Sequence, residues 1–170
     1  DKFRDVVAEI AQATAGAEHA ITHLVHLDGD GLPGSHRYDD LLTAAPETPV
    51  TYEGLEAEDI ACLLFTGGTT GLPKGAQISH RQVCWNVLNT VVHDVQHDDI
   101  YLNVFPLFHT GGLFTYLSSQ VVFGNTTILV KQFDPVQVLD LIQREHVTIF
   151  AAVPTMYQMM TQAPNWARAD

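Results

Sequence analysis

The chain has 170 residues, 46% hydrophobic and 16% charged, which supports a folded core and excludes disorder by composition. A formal net charge of −12 and a pI near 4.9 set it against nucleic acid, whose phosphates would be repelled outside a local basic pocket. One domain is the default at this length, and no internal repeat or low-complexity tract is present.

In chain order, residues 5–14 read as a helix, with Val6, Val7, Ile10 and Ala13 along one side. Residues 20–27 read as extended and close on the turn Asp28-Gly29-Asp30-Gly31. A short helix over Tyr38–Ala44 and a polar, proline-containing connector over 46–59 precede an apolar run, 60–65, that reads as a buried strand. Ser79-His80-Arg81-Gln82 has the pattern of a capping box and starts a helix presenting Cys84, Val87, Leu88, Val91 and Val95 to a core, with Asp98-Asp99 ending it. Strands come next at 100–105 and 126–130, separated by a helix over 112–123 and a Gly124-Asn125 turn. Asp134-Pro135 supplies the cap and first-turn proline of the next helix, whose face carries Val136, Leu139 and Ile142. A last strand, 147–153, stops at Pro154, and 155–162 reads as helical. Apolar strands alternating with helices predict an α/β fold with a mostly parallel sheet covered by helices on both faces.

Between the strand at 60–65 and the helix at Ser79 lies Thr66-Gly67-Gly68-Thr69-Thr70-Gly71-Leu72-Pro73-Lys74-Gly75. Glycines let backbone N–H groups turn inward, threonine hydroxyls add donors and a lysine adds a point charge, the set a polyphosphate needs. The spacing is not that of a Walker A loop, because the fifth residue after Gly67 or Gly68 is Leu72 or Pro73; a P-loop kinase is disfavoured accordingly. Glycines at i, i+2 and i+5, the dinucleotide fingerprint, do not occur here either. A second informative stretch, Pro106-Leu107-Phe108-His109-Thr110-Gly111-Gly112, comes after the strand at 100–105, so both lie at carboxyl ends of strands, where α/β sheets bind ligands. Phe108, Leu113 and Phe114 can line a tail pocket, and Gly111 and Gly112 permit close backbone approach. Standing alone, His109 would read as a satisfied core histidine.

The first loop closely resembles the signature Thr-Ser/Gly-Gly-Thr-Thr-Gly-x-Pro-Lys-Gly of the adenylate-forming superfamily: acyl-CoA and aryl-CoA ligases, luciferases and peptide-synthetase adenylation domains. Gly67 stands where many members carry serine. The second stretch is similar to that family's Pro-Leu-Phe-His-x-x-Gly motif, and Val153-Pro154-Thr155-Met156-Tyr157 to a segment bordering its substrate region, although Met156, Met159 and Met160 suit core filling equally. The resemblance implies a two-step ligase in which a carboxylate attacks the α-phosphate of ATP and coenzyme A then captures the acyl-adenylate. It implies that Thr66, Gly67, Gly68, Thr69, Thr70, Gly71 and Lys74 hold the ATP phosphates, that Thr66 is a Mg2+ ligand through its hydroxyl, and that His109 gates or orients the reaction. Histidine at 109, where amino-acid-activating members place aspartate, leans toward acyl-CoA synthetases acting on fatty acids. Residues 1–170 would then be part of the N-terminal AMP-binding domain, a subdomain piece without the C-terminal domain. The family's later motifs are missing from the sequence, so the piece alone is expected to be inactive. A rival reading is a non-catalytic nucleotide-binding or scaffold module that keeps the loop only to bind.

The remaining features have simpler readings. Residues 100–130 contain no Asp, Glu, Lys or Arg, but Pro106, Asn103, His109, Gln120 and Asn125 interrupt any membrane span. Cys62 and Cys84 read as reduced core residues, which with the lack of a signal peptide predicts a cytoplasmic protein. His93 and His97 stand at i, i+4 but read as the solvated end of a helix, and His23 and His26 would face opposite ways on a strand. Asp28 and Asp30 lack the other ligands of a calcium loop, the Glu53, Glu56, Glu58 and Asp59 run faces solvent, and no Gly-x-Ser-x-Gly elbow is present.

Overall fold

A computed structural model describes residues 3–18, 20–67 and 71–168. Where composition set one domain as the default, the chain divides into two units, Asp1–Tyr52 and Glu53–Asp170. In the first, α1 (Arg4–Ala13) precedes β1 (Val25–His26), which pairs in parallel with β2 (His36–Arg37) and leads into α2 (Tyr38–Ala44). Only Val25–His26 of the expected extended segment joins a ladder.

The second unit opens with β3 (Ile60–Thr66) and β4 (Lys74–Ser79), an antiparallel hairpin that the sequence reading lacked. The expectation of a buried strand at 60–65 is corrected here. Among the described residues β3 has a single ladder partner, and Ile60, Leu63 and Phe65 stay exposed while Leu64 is buried. Ser79 ends β4 and caps α3 (His80–Val91): its Oγ accepts from the Gln82 N–H at 3.4 Å, and Gln82 Oε1 accepts from the Ser79 N–H at 2.8 Å. The helix stops well before Asp98, and of the residues expected to face a core, Val87 and Val95 are buried whereas Cys84, Leu88 and Val91 are exposed.

The rest of this unit is the parallel sheet covered on both faces that the alternating pattern predicts. β5 (Ile100–Asn103) gives way to α4 (Thr110–Leu113) and α5 (Leu117–Phe123), then β6 (Thr126–Leu129), α6 (Pro135–Arg144), β7 (Ile149–Phe150) and α7 (Pro154–Thr161). β5 lies in the middle, paired in parallel with β6 and β7. Leu102 faces the α6 and α7 side, in a core with Val104, Val138, Leu139, Leu141 and Met160. The next residue back, Tyr101, points the other way as strand alternation requires and meets the Tyr116 ring at 5.5 Å. α6 starts as read from the sequence, with Asp134 Oδ1 accepting from the Gln137 N–H at 2.8 Å and Pro135 in the first turn. Pro154, expected only to stop a strand, also opens α7. Among the described residues no helix is long and apolar enough to cross a membrane.

Tyr101 is fully buried, and its hydroxyl has no hydrogen-bond partner among the described residues. Burial pushes the phenol up to about 12, with the neighbouring Tyr116 adding to the effect. The folded state therefore holds this proton more tightly than the unfolded chain. The corresponding stability is complete below about pH 10 and is lost as pH rises toward 12, up to about 2–3 kcal/mol. Tyr101→Phe should abolish that part of the alkaline decline and be no less stable at pH 8, checked by urea denaturation of both proteins across pH 8–12.

Candidate functional site

The hairpin defines one half of the site. Its register sets Phe65 opposite Gly75 and Thr66 opposite Lys74, so residues 67–73 form the connecting loop. The Thr66 hydroxyl donates to the Lys74 carbonyl at 3.4 Å, which ties the two ends of the loop together and leaves the hydroxyl oxygen able to accept or ligate. Gly71 has φ +139°, a backbone conformation that L side chains rarely adopt. Among the described residues a Cβ on Gly67 meets nothing within 4 Å, so a serine side chain there would find no clash with them. Gly68, Thr69 and Thr70 lie outside the described residues. Lys74 is exposed, and among the described residues its ammonium has no ion-pair partner. The other nearby cation, Arg81, is taken up by Glu58 at 2.5 Å.

The other half is the turn after β5. His109 is exposed, which removes the core-histidine reading, and it caps α4 by accepting the Gly111 N–H on Nδ1 at 3.0 Å. In the neutral ring that acceptance puts the proton on Nε2 and directs a donor outward. The turn is tight: the His109 N–H donates to the Pro106 carbonyl, and the Gly112 N–H to the His109 carbonyl, both at 3.1 Å. A Cβ on Gly112 would collide with the Pro106 carbonyl oxygen, so only glycine fits there. Beside this turn, at the carboxyl ends of β5 and β6, opens a cavity of about 470 Å³. Pro106, Leu107, Phe108, Leu129 and Lys131 line it, and Phe108 is 81% exposed, its ring unclaimed by the core. A second cavity of about 390 Å³ lies within the first unit.

Sequence reasoning missed two asparagines. Asn103 is buried at the end of β5 and bonds both sides of the His109 turn. Asn86 of α3 donates to the Phe114 carbonyl, at the point where the single helix expected over 112–123 is divided into α4 and α5. The only available sign was a lone amide in an otherwise apolar strand. Elsewhere, His93 meets the Tyr116 hydroxyl at 3.3 Å, and among the described residues no group of three His, Cys, Asp or Glu could hold a metal.

The hairpin thus ends on an exposed lysine, and the parallel sheet carries a histidine-bearing turn at its carboxyl edge. The chain belongs to the AMP-binding enzyme family, whose model matches residues 3–170. It is 40% identical over 126 residues to a feruloyl-CoA synthase of Amycolatopsis sp, covering 74% of this chain and 25% of that protein. It is 31% identical over 175 residues to an indoleacetate–CoA ligase of Aromatoleum aromaticum, covering 100% of this chain and 31% of that one. The ATP-bound structure of MatB from Rhodopseudomonas palustris matches with a TM-score of 0.74 and 32% identity, over 96% of this chain and 30% of the other. The chain thus spans about a quarter to a third of the curated relatives it matches.

Gly112→Ala should lower stability by about 1–3 kcal/mol, since the methyl meets backbone rather than a side chain that can move. Gly67→Ala should stay within about 0.5 kcal/mol. Paired denaturation curves check both.

Proposed function

We propose that the whole protein is an AMP-forming acid–thiol ligase. A carboxylate oxygen attacks the α-phosphorus of ATP, pyrophosphate departs, and the coenzyme A thiol then attacks the acyl carbonyl and expels AMP. The observation that carries this reading is the Thr66–Lys74 pairing, which brings a hydroxyl and an ammonium without an ion-pair partner among the described residues to the two ends of a glycine-rich loop. Lys74, Thr66, Gly67 and Gly71, with Gly68, Thr69 and Thr70 between them, hold the β- and γ-phosphates and neutralise charge as it moves onto pyrophosphate. Mg2+ takes few protein ligands besides phosphates and water, and the exposed Thr66 hydroxyl suits such a site.

His109 stands between the apolar cavity and the adenylate, and its outward Nε2 donor orients the acyl group for thiol attack. An apolar cavity rimmed by Leu107 and Phe108 supports an acid with an apolar tail, and we read that acid as a fatty acid. Aromatic acids are the competing class. Two free cysteines, Cys62 and Cys84, support a cytoplasmic enzyme.

Acid-dependent pyrophosphate exchange and thioester formation, run over a panel of aliphatic and aromatic acids, test this reading. Tight ATP binding with no exchange on any acid would indicate a binding module instead. Lys74→Ala should raise the ATP requirement and slow adenylation by about 10- to 100-fold, while thiolation of preformed acyl-adenylate changes far less. His109→Ala should leave the melting midpoint within a few degrees, about 1 kcal/mol or less for an exposed side chain. Thioester formation by that variant should nonetheless fall about tenfold or more. Melting and both half-reactions on one preparation separate these outcomes.

A further inference from the structure

Asn103 is 1% exposed, at the end of the central strand of a parallel sheet. An amide in that position is costly unless both its ends are satisfied. They are satisfied by two backbone groups on either side of the same turn. Oδ1 accepts from the Phe105 N–H at 3.0 Å, and Nδ2 donates to the Gly112 carbonyl at 2.8 Å. The side chain is thus a strut across the segment that carries Phe108 and His109.

Those two residues cannot hold themselves in place. Phe108 is 81% exposed, and the only hydrogen bond of the His109 ring among the described residues is the local one to Gly111. Their positions are inherited from the backbone between Phe105 and Gly112. From the far side, Asn86 reaches the chain only beyond that turn, at Phe114.

We infer that Asn103 is a positioning residue for acyl transfer, acting through the backbone of the His109 turn; this rests on the role given to His109 above. Asparagine is the one small side chain that donates at one end and accepts at the other. Leucine shares its γ-branched shape, though it is bulkier, and leaves the Phe105 N–H and the Gly112 carbonyl unpaired; serine can reach at most one of them.

The test uses the full-length protein. Asn103→Leu and Asn103→Ser are compared with Leu102→Ala, a control on the same strand whose side chain points into the opposite core. Thiolation of preformed acyl-adenylate, per folded molecule, should fall about tenfold in the Asn103 variants, while the KM for ATP stays within about twofold. Leu102→Ala should lose stability yet keep both half-reactions per folded molecule. The double variant Asn103→Leu/His109→Ala should be no slower than His109→Ala alone, since the strut acts through that ring.

If Asn103→Leu does not fold, the serine variant and its double with His109→Ala decide. Additive losses in the double, equal losses in both half-reactions, or normal thiolation per folded molecule would each overturn the proposal while His109 kept its role. A normal His109→Ala enzyme would instead sink the reading of His109 and this inference together.

Discussion

A parallel strand flanked on both edges has nowhere to send its chain but out of the carboxyl end, where backbone groups lose their ladder and must find other partners. β5 is that strand, held between β6 and β7 and covered on both faces. The segment after Asn103 answers this need with local bonds: the Asn103 amide takes the Phe105 N–H and the Gly112 carbonyl, the Pro106 carbonyl accepts the His109 N–H, and the His109 ring accepts the Gly111 N–H of α4. Exposed side chains can then be presented from backbone that is itself fixed, as a binding turn requires.

The two halves of the site are built on different principles. The hairpin loop is tied at its ends by Thr66 and Lys74 and supplies a charge left unspent by any internal pair among the described residues. Within a chain of net charge −12, that local cation offers an anionic ligand an attraction the chain as a whole does not. The His109 turn is closed, its geometry set by Gly112 and by the buried amide of Asn103. A mobile polyphosphate tolerates the first kind of site, whereas an acyl carbon awaiting attack needs the second.

How much was legible in the sequence depended on the range of the interactions. The capping box at Ser79, the start at Asp134-Pro135 and the helix Tyr38–Ala44 are decided within a few residues and were read correctly. β4 escaped notice because Lys74-Gly75-Ala76-Gln77 has neither alternation nor β-branched residues, and only pairing with β3 makes it a strand. The break between α4 and α5 likewise meets a partner from outside, Asn86 of α3. Both motif loops were visible as residue patterns; the amide that braces the second was not, since its partners are backbone groups that no sequence displays.

β4 has a consequence for the spacing of the whole site. Lys74 and Ser79 are its two ends, five residues apart, so the extended chain holds the loop's cation and the start of α3 roughly 17 Å from each other. Being an odd number of steps apart, they emerge on opposite faces. The strand thus behaves as a ruler with a built-in half-turn: a residue added within 67–73 would lengthen the loop without moving either mark, but one added inside β4 would either roll the lysine away from Thr66 or pull the helix out of phase. A register shift already sits between Ile60 and Cys62, at the Ser79 end of the hairpin, so any slack in the pairing is taken up far from the lysine.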